Sequence, residues 1–381
     1  MNFSWSDEES LILEETALFS QKFLNDDIQG RTENGIFDRQ AWDRCGEFGL
    51  LGLMVEPDLG GMGFGALMAA GMMESFGFGC RDGGLVFSVG AHLFAVVAPI
   101  HEFGSDSLKR DVLPDLISGK TVGANAITEA ESGSDIAAMK TTALRDEDEY
   151  VLNGIKSFVT NAPVADKFLI YATVNSELGF MGVSAFVVDR DTPGLTVGKN
   201  FDTIGLKTSP MSSIYLDNCR IHKSQRLGEE GAGSAIFAGS MQWERACLFG
   251  GYLGAMERQL ERVIEFVKTR RQFRQRLAKF QAVSHKITDM KIRLDAARLL
   301  LHRACWLRDQ GEQAVLEVSE AKLAVSEAAI ASGLDAIQII GGLGFINESE
   351  VGWDLVNAIP ATIFSGTSEI QRNLMAQSLG L

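Results

Sequence analysis

The feature that most constrains this chain is an island of strand-forming sequence between about residues 119 and 229, with helical sequence on both sides. Within it, Tyr150-Val-Leu-Asn-Gly, Phe168-Leu-Ile-Tyr-Ala-Thr-Val174, Val183-Ser-Ala-Phe-Val-Val188 and Ser213-Ile-Tyr-Leu-Asp217 are short β-branched or aromatic runs. Asn-Gly, Pro-Gly and Asp-rich turns separate them. No amphipathic helix is interleaved, so the expected sheet is antiparallel and not a βαβ array. The chain also lacks a Gly-x-Gly-x-x-Gly between a strand and a helix, which excludes holding a dinucleotide in the Rossmann manner.

The flanks read differently. Ser6 followed by Glu9 is a capping-box pattern, and Leu11, Ile12, Leu18, Phe19 and Phe23 recur at roughly helical spacing. Trp42–Leu50 predicts a second helix, ended by the Pro and Gly residues of Val55–Gly63. Ala66–Gly77 and Val86–Phe103 predict two more. Beyond Gly231 come long helical runs at Phe237–Arg270, Gln281–Asp309 and Gln313–Ile340, and a shorter last one at Thr367–Leu379. Such runs with few breakers favour an antiparallel bundle. The expected α+β multidomain protein has an N-terminal helical domain (1–118), a middle antiparallel β domain (119–229) and a C-terminal four-helix bundle (230–381).

A chain of 381 residues with 46% hydrophobic content is core-forming, and its formal charge of −15 argues against nucleic acid as a partner. Five scattered cysteines without Cys-x-x-Cys give no disulfide framework, and the Cys219/His222 and His302/Cys305 spacings supply too few ligands for a metal. The start, Met1-Asn-Phe-Ser-Trp-Ser-Asp-Glu-Glu, is acidic where a signal peptide is basic. No apolar run reaches spanning length without Gly or charge, so a cytoplasmic protein without a membrane partner is expected.

Two stretches carry chemistry. Asn125-Ala-Ile-Thr-Glu-Ala-Glu-Ser-Gly-Ser-Asp135 offers hydroxyls and open backbone amides suited to phosphate oxygens, although a plain Ser/Gly turn has the same composition. Leu152-Asn-Gly-Ile-Lys-Ser-Phe-Val-Thr-Asn161 follows about twenty residues later. Together they resemble the paired signatures of the acyl-CoA dehydrogenase flavoprotein family, as does the three-domain order over essentially the full chain. The resemblance implies bound FAD. It places Asn125, Ile127 and Thr128 at the flavin ring edge, Gly133 and Ser134 at the pyrophosphate, and Thr160 near flavin N5. Phe158 stands where relatives usually have Trp, and an aromatic ring there can still cover the flavin face.

Lys268-Thr-Arg-Arg-Gln-Phe-Arg-Gln-Arg-Leu-Ala-Lys279 has six basic residues and no acid, a pattern that a solvated helix end also explains. The resemblance puts Arg270, Gln272, Phe273 and Gln281 on the FAD of a neighbouring subunit, with Gln338 and Gly342 against its adenosine. Thr367 and Glu369 complete the implied cofactor set, and shared sites imply a homo-oligomer, expected to be a tetramer. Arg274 replaces the family's usual Gly. It adds a positive charge that, with Arg276, is a candidate for docking an acidic carrier protein.

The base is the largest departure. Most relatives carry Glu directly before Gly-Thr near the C-terminus, whereas this chain reads Ile363-Phe-Ser-Gly-Thr367, putting Ser365 in that place. A serine alone is no general base. A minority of the family, including isovaleryl-CoA dehydrogenase, has its base before an Arg on the first bundle helix, where this chain has Trp243-Glu244-Arg245. Glu244 is therefore the expected catalytic residue, with Ser365 and Arg245 contacting substrate. The Cys80–His92 run, Asn161–Asp166 and Ile363–Thr367 resemble the branch that oxidises L-proline tethered to an acyl or peptidyl carrier protein, on the way to pyrroles or anatoxin-type alkaloids. The alternatives are a short or branched-chain acyl-CoA dehydrogenase and a catalytically inactive flavin-bound scaffold. Reoxidation would fall to molecular oxygen or an electron-transfer flavoprotein.

Overall fold

The computed structural model describes residues 4–381 and leaves residues 1–3, the start of the acidic N-terminal stretch, outside. Among the described residues the first domain holds α1 (Asp7–Phe23), α2 (Ile28–Asn34), α3 (Arg39–Phe48), α4 (Ala66–Gly79), α5 (Gly83–His92), α6 (Ala98–Phe103) and α7 (Asp106–Ile117). The Ser6–Glu9 capping box forms in both directions. The helix expected at Trp42–Leu50 starts earlier, because the Asp38 side chain caps Ala41 N, and ends at Gly49 in the left-handed region. α2 was not expected; seven residues are too short for a periodic signal. α5 passes through a π turn at Leu93–Val97 into α6. Gly83–Phe103 and Val315–Phe345 are long and apolar enough to cross a membrane by length and composition, although Gly residues interrupt the first and charged residues the second, as expected from the sequence. Interior packing explains the first: 83% of its most apolar window is buried within the protein.

The middle domain contains β1 (Gly123–Ala126), β2 (Thr142–Asp146), β3 (Glu149–Thr160), β4 (Lys167–Thr173), β5 (Val183–Asp189), β6 (Leu195–Val197), β7 (Met211–His222) and β8 (Arg226–Leu227). The order is β6-β7-β3-β2-β4-β5-β8, with β1 beside β4. Most pairs are antiparallel, but β1 runs parallel to β4 with Asn125 opposite Leu169, and Thr142 of β2 meets Thr173 in parallel. The purely antiparallel expectation is corrected here. The loop after β1 and the β2–β3 hairpin provide the crossover that a parallel pair needs. Strand alternation puts Ala124, Ala126, Phe168 and Ile170 in the sheet's own core, while Leu169, Tyr171, Ala185 and Val187 face the helices.

In the last domain α8 (Gly233–Trp243) continues through a π turn, Glu244–Leu248, into α9 (Gly250–Thr269). A hairpin of β9 (Arg271–Gln272) and β10 (Gln275–Arg276) follows, then α10 (Gln281–Asp309), α11 (Val315–Ile340), α12 (Val351–Ala358) and α13 (Ser368–Ser378). The eight-residue α12 is an addition to the four expected runs. α4 and α9 cross so closely that a Cβ on Gly254 would lie 1.9 Å from the Glu74 carbonyl oxygen. Beside this crossing, Arg258 of α9 donates to the Phe78 and Cys80 carbonyls at 3.1 and 2.9 Å and closes the negative end of α4.

Candidate active site

Glu244 lies at the start of the π turn, only 8% exposed. A π turn takes an extra residue, an arrangement often found at functional sites. The loop between α12 and α13 comes from the other side, and Ser365 Oγ donates a hydrogen bond to Glu244 Oε1. Ser365 is left-handed (φ 54°), followed by Gly366 (φ 88°), so the backbone doubles back at this point. Two side chains hold the turn: Arg245 Nε donates to the Ser365 carbonyl at 2.7 Å, and Gln371 Nε2 to the Ser365 and Gly366 carbonyls at 3.1 and 2.8 Å. Neither tie uses the Ser365 N–H. Phe364 packs its ring against Phe87, Phe249 and Tyr252, with centroids 4.6, 5.5 and 6.4 Å away. Burial pushes the Glu244 carboxyl above its ordinary range, while the Ser365 hydrogen bond and the charges of Arg245 and Lys322 act the other way.

One turn beyond Glu244 a mostly apolar cleft begins, with Leu248 of the π turn and Gly251, Tyr252 and Ala255 of α9 on one wall and Val86 and Phe87 of α5 on another. Arg258 and Asp354, paired at 3.2 Å, lie at its polar end. Glu244 does not line this cleft itself; the two are joined through Leu248, one turn along the same helix, and through Phe87, which packs on Phe364 beside Ser365.

The sheet edge forms a second surface. Ser157 N donates to Thr128 O at 2.8 Å and Lys156 Nζ to Ile127 O at 3.0 Å, pinning the segment after β1 onto β3. Glu129 anchors the loop by accepting from Lys140 N (2.7 Å), Thr141 N (2.9 Å) and Lys156 Nζ (2.9 Å). Asn125, Ile127, Thr128 and Thr160 are half-buried along this edge. Phe158, left-handed at φ 57°, turns its ring outward, 58% exposed and 5.7 Å from Phe201. The fit to a flavin rests on this edge: an exposed aromatic face, a buried Asn125 Oδ1 without a hydrogen-bond partner, and the exposed Gly133 and Ser134, with open space around Gly133. Ser132 is spent on the loop itself, donating to Asp135 O at 2.6 Å.

The structure keeps the remaining predicted cofactor residues apart from this edge. Arg270, Gln272, Phe273 and Gln281 are exposed on or beside the β9–β10 hairpin, Phe273 by 87%, and Gln338 and Gly342 are exposed at the end of α11. The basic run is a hairpin and not a continued helix end. Phe273 and Arg274 both take left-handed backbone (φ 48° and 65°), so Arg274 adopts a conformation that glycine provides without strain. Thr367 caps α13 through Ile370 N at 3.3 Å, and Glu369 is exposed in its first turn. Sequence reasoning missed Gln371, Phe364 and Lys322. Gln371 lies six residues after Ser365, but no spacing rule marks an amide that reaches back to a turn.

Models of the acyl-CoA dehydrogenase N-terminal, middle and C-terminal domains match residues 6–120, 124–219 and 231–380. The chain belongs to the acyl-CoA dehydrogenase family. An L-prolyl-[peptidyl-carrier protein] dehydrogenase of Pseudomonas fluorescens is 49% identical over 92% of this chain and 93% of its own length. A solved structure of PigA with FAD and proline superposes with TM-score 0.98 at 45% identity, covering both chains fully. The prolyl acyl carrier protein oxidase AnaB is 39% identical, with TM-score 0.98 over 99% of this chain and all of its own.

Proposed function

We propose that the protein oxidises an L-prolyl thioester carried on the phosphopantetheine arm of a carrier protein, with FAD as cofactor and Glu244 as base. The carrying observation is the buried Glu244, held by Ser365 one helical turn from a small apolar cleft, in a chain similar over its length to enzymes described as acting on carrier-bound proline. Asn125, Ile127, Thr128, Gly133, Ser134, Phe158 and Thr160 would hold the flavin. Bound FAD supplies a hydride acceptor. Glu244 takes the α-proton of the thioester. The thioester oxygen gains charge in that step, and the Ser365 N–H, on a turn fixed by Arg245 and Gln371, is the donor on this chain suited to meet it. Arg270, Gln272, Phe273, Gln281, Gln338 and Gly342, exposed in one chain, reach the cofactor of a neighbouring copy in a homotetramer.

The reading is tested by anaerobic flavin bleaching with prolyl carrier protein against isovaleryl-CoA. Bleaching by the prolyl carrier alone is expected, and product mass should show loss of two or four hydrogens. Faster bleaching by isovaleryl-CoA would transfer the assignment to a branched-chain acyl-CoA dehydrogenase.

A further inference from the structure

We propose that Lys322 is a positioning residue for the base: its ammonium acts across space, without a hydrogen bond, to keep Glu244 ionised and ready to accept a proton. The proposal rests on Glu244 being the base. Lys322 sits on α11, fully buried, and its Nζ has no hydrogen-bond partner. The ammonium lies 5.7 Å from the centroid of the Phe249 ring. Phe249 directly follows the π turn that begins at Glu244, and its ring packs at 5.5 Å on Phe364, the neighbour of Ser365. Lys322 therefore sits beneath the joint between the two segments that make the site.

An unpaired ammonium in a protein interior is expensive, and an aliphatic side chain of similar length would fill the same space without that cost. The surrounding charges say what the ammonium does. Arg245 is committed to the Ser365 carbonyl. Glu369 from α13 and Glu327 from α11 also act on Lys322, and both are on the surface. Towards Glu244, β4 contributes the Tyr171 phenol, buried and without a partner. α10 contributes Cys305, beside Cys247, and Arg308, which with Glu102 brackets Trp243. Of these, Arg245 and Lys322 are the cations that bear on Glu244. Burial favours its neutral acid, which cannot take an α-proton, and the two cations oppose that. Burial, reinforced by Arg245, brings Lys322 itself down to about 8, so it retains its charge through neutral pH.

The test uses the flavin-loaded protein and two variants, Lys322→Met and Lys322→Gln. The protonation of Glu244 is followed against pH by infrared difference spectroscopy without substrate, its carboxyl band assigned by subtracting Glu244→Gln. The midpoint is expected to rise by about one pH unit, with roughly tenfold slower flavin reduction by prolyl carrier protein below it and a plateau within about twofold above it. Lys322→Met should melt no lower than the native protein. An unmoved midpoint in a variant with native flavin content overturns the proposal. Loss of flavin in both variants also overturns it, because Lys322 would then serve the cofactor or the fold. A shifted midpoint in a protein that no prolyl thioester reduces would leave Lys322 in its role and refute the proposed substrate.

Discussion

Glu129 and Glu244 are buried to nearly the same extent, 7% and 8% exposed, yet they do opposite things. Glu129 receives donors from Lys140, Thr141 and Lys156. Burial alone would raise its carboxyl, but the hydrogen bonds from Thr141 and Lys156 and the Lys156 charge outweigh that and hold it below its ordinary range. Glu244 receives one side-chain donor, Ser365, and burial prevails. At equal solvent exposure, the number of donors and the depth of packing around the carboxyl together decide whether it is held low as a structural tie or pushed up as an available base.

The most severe way to break this comparison is Glu244→Gln. The amide keeps the shape but cannot accept the proton, so flavin reduction in anaerobic stopped-flow should fall on the order of a thousandfold. Its melting temperature should hold or rise, because a carboxyl whose folded pKa is raised contributes its stability below the unfolded value and loses it as pH climbs through the folded one. A near-native rate would make Glu244 a second tie. Glu129→Gln should do the reverse. It strands the Lys156 ammonium, already brought down to about 8 by burial, and should cost about 3 kcal/mol in denaturant unfolding. Reduction per bound flavin should stay within severalfold, and Glu129→Gln with Lys156→Met should recover part of the stability. Loss of chemistry without loss of stability would remove the distinction. The smallest effect belongs to Ser365→Ala. Losing the bond that lowers the Glu244 carboxyl raises it further, so the acid limb of the rate profile should move up by at most about one pH unit, with little change above it. A downward move would mean that the hydroxyl favours the neutral acid. Glu129, held low, stays ionised through that window; its contribution to stability is lost only as pH falls through its depressed value.

Much of this was legible in the sequence. The long bundle helices were legible as helical runs with few breakers, Gln281–Asp309 at both ends. Glu244 and Ser365 were linked in the sequence only by reading a missing carboxylate in one place against a present one in another, and the structure brings the two into a hydrogen bond. What escaped depends on distance in space. The parallel β1–β4 pair is set by a crossover and not by alternation. Phe158, Phe273, Arg274 and Ser365 occupy left-handed backbone that their residue types do not announce. Lys322 reads as an ordinary charged position in Glu320-Ala-Lys-Leu323, and only the packing of α11 shows that it never meets water.

The π turn at Glu244–Leu248 has a consequence for how the rod formed by α8 and α9 is phased. In an unbroken α-helix each residue advances the side-chain direction by about 100°, so the face presented to the sheet would dictate the face presented to the bundle. An extra residue in one turn breaks that gearing. α8 keeps Ile236 inward near the sheet, while α9 independently aligns Gly250, Gly251 and Gly254 with α4. Deleting one residue from the turn would re-engage the two halves, and either the glycine crossing with α4 or the aim of Glu244 at Ser365 would rotate out of place.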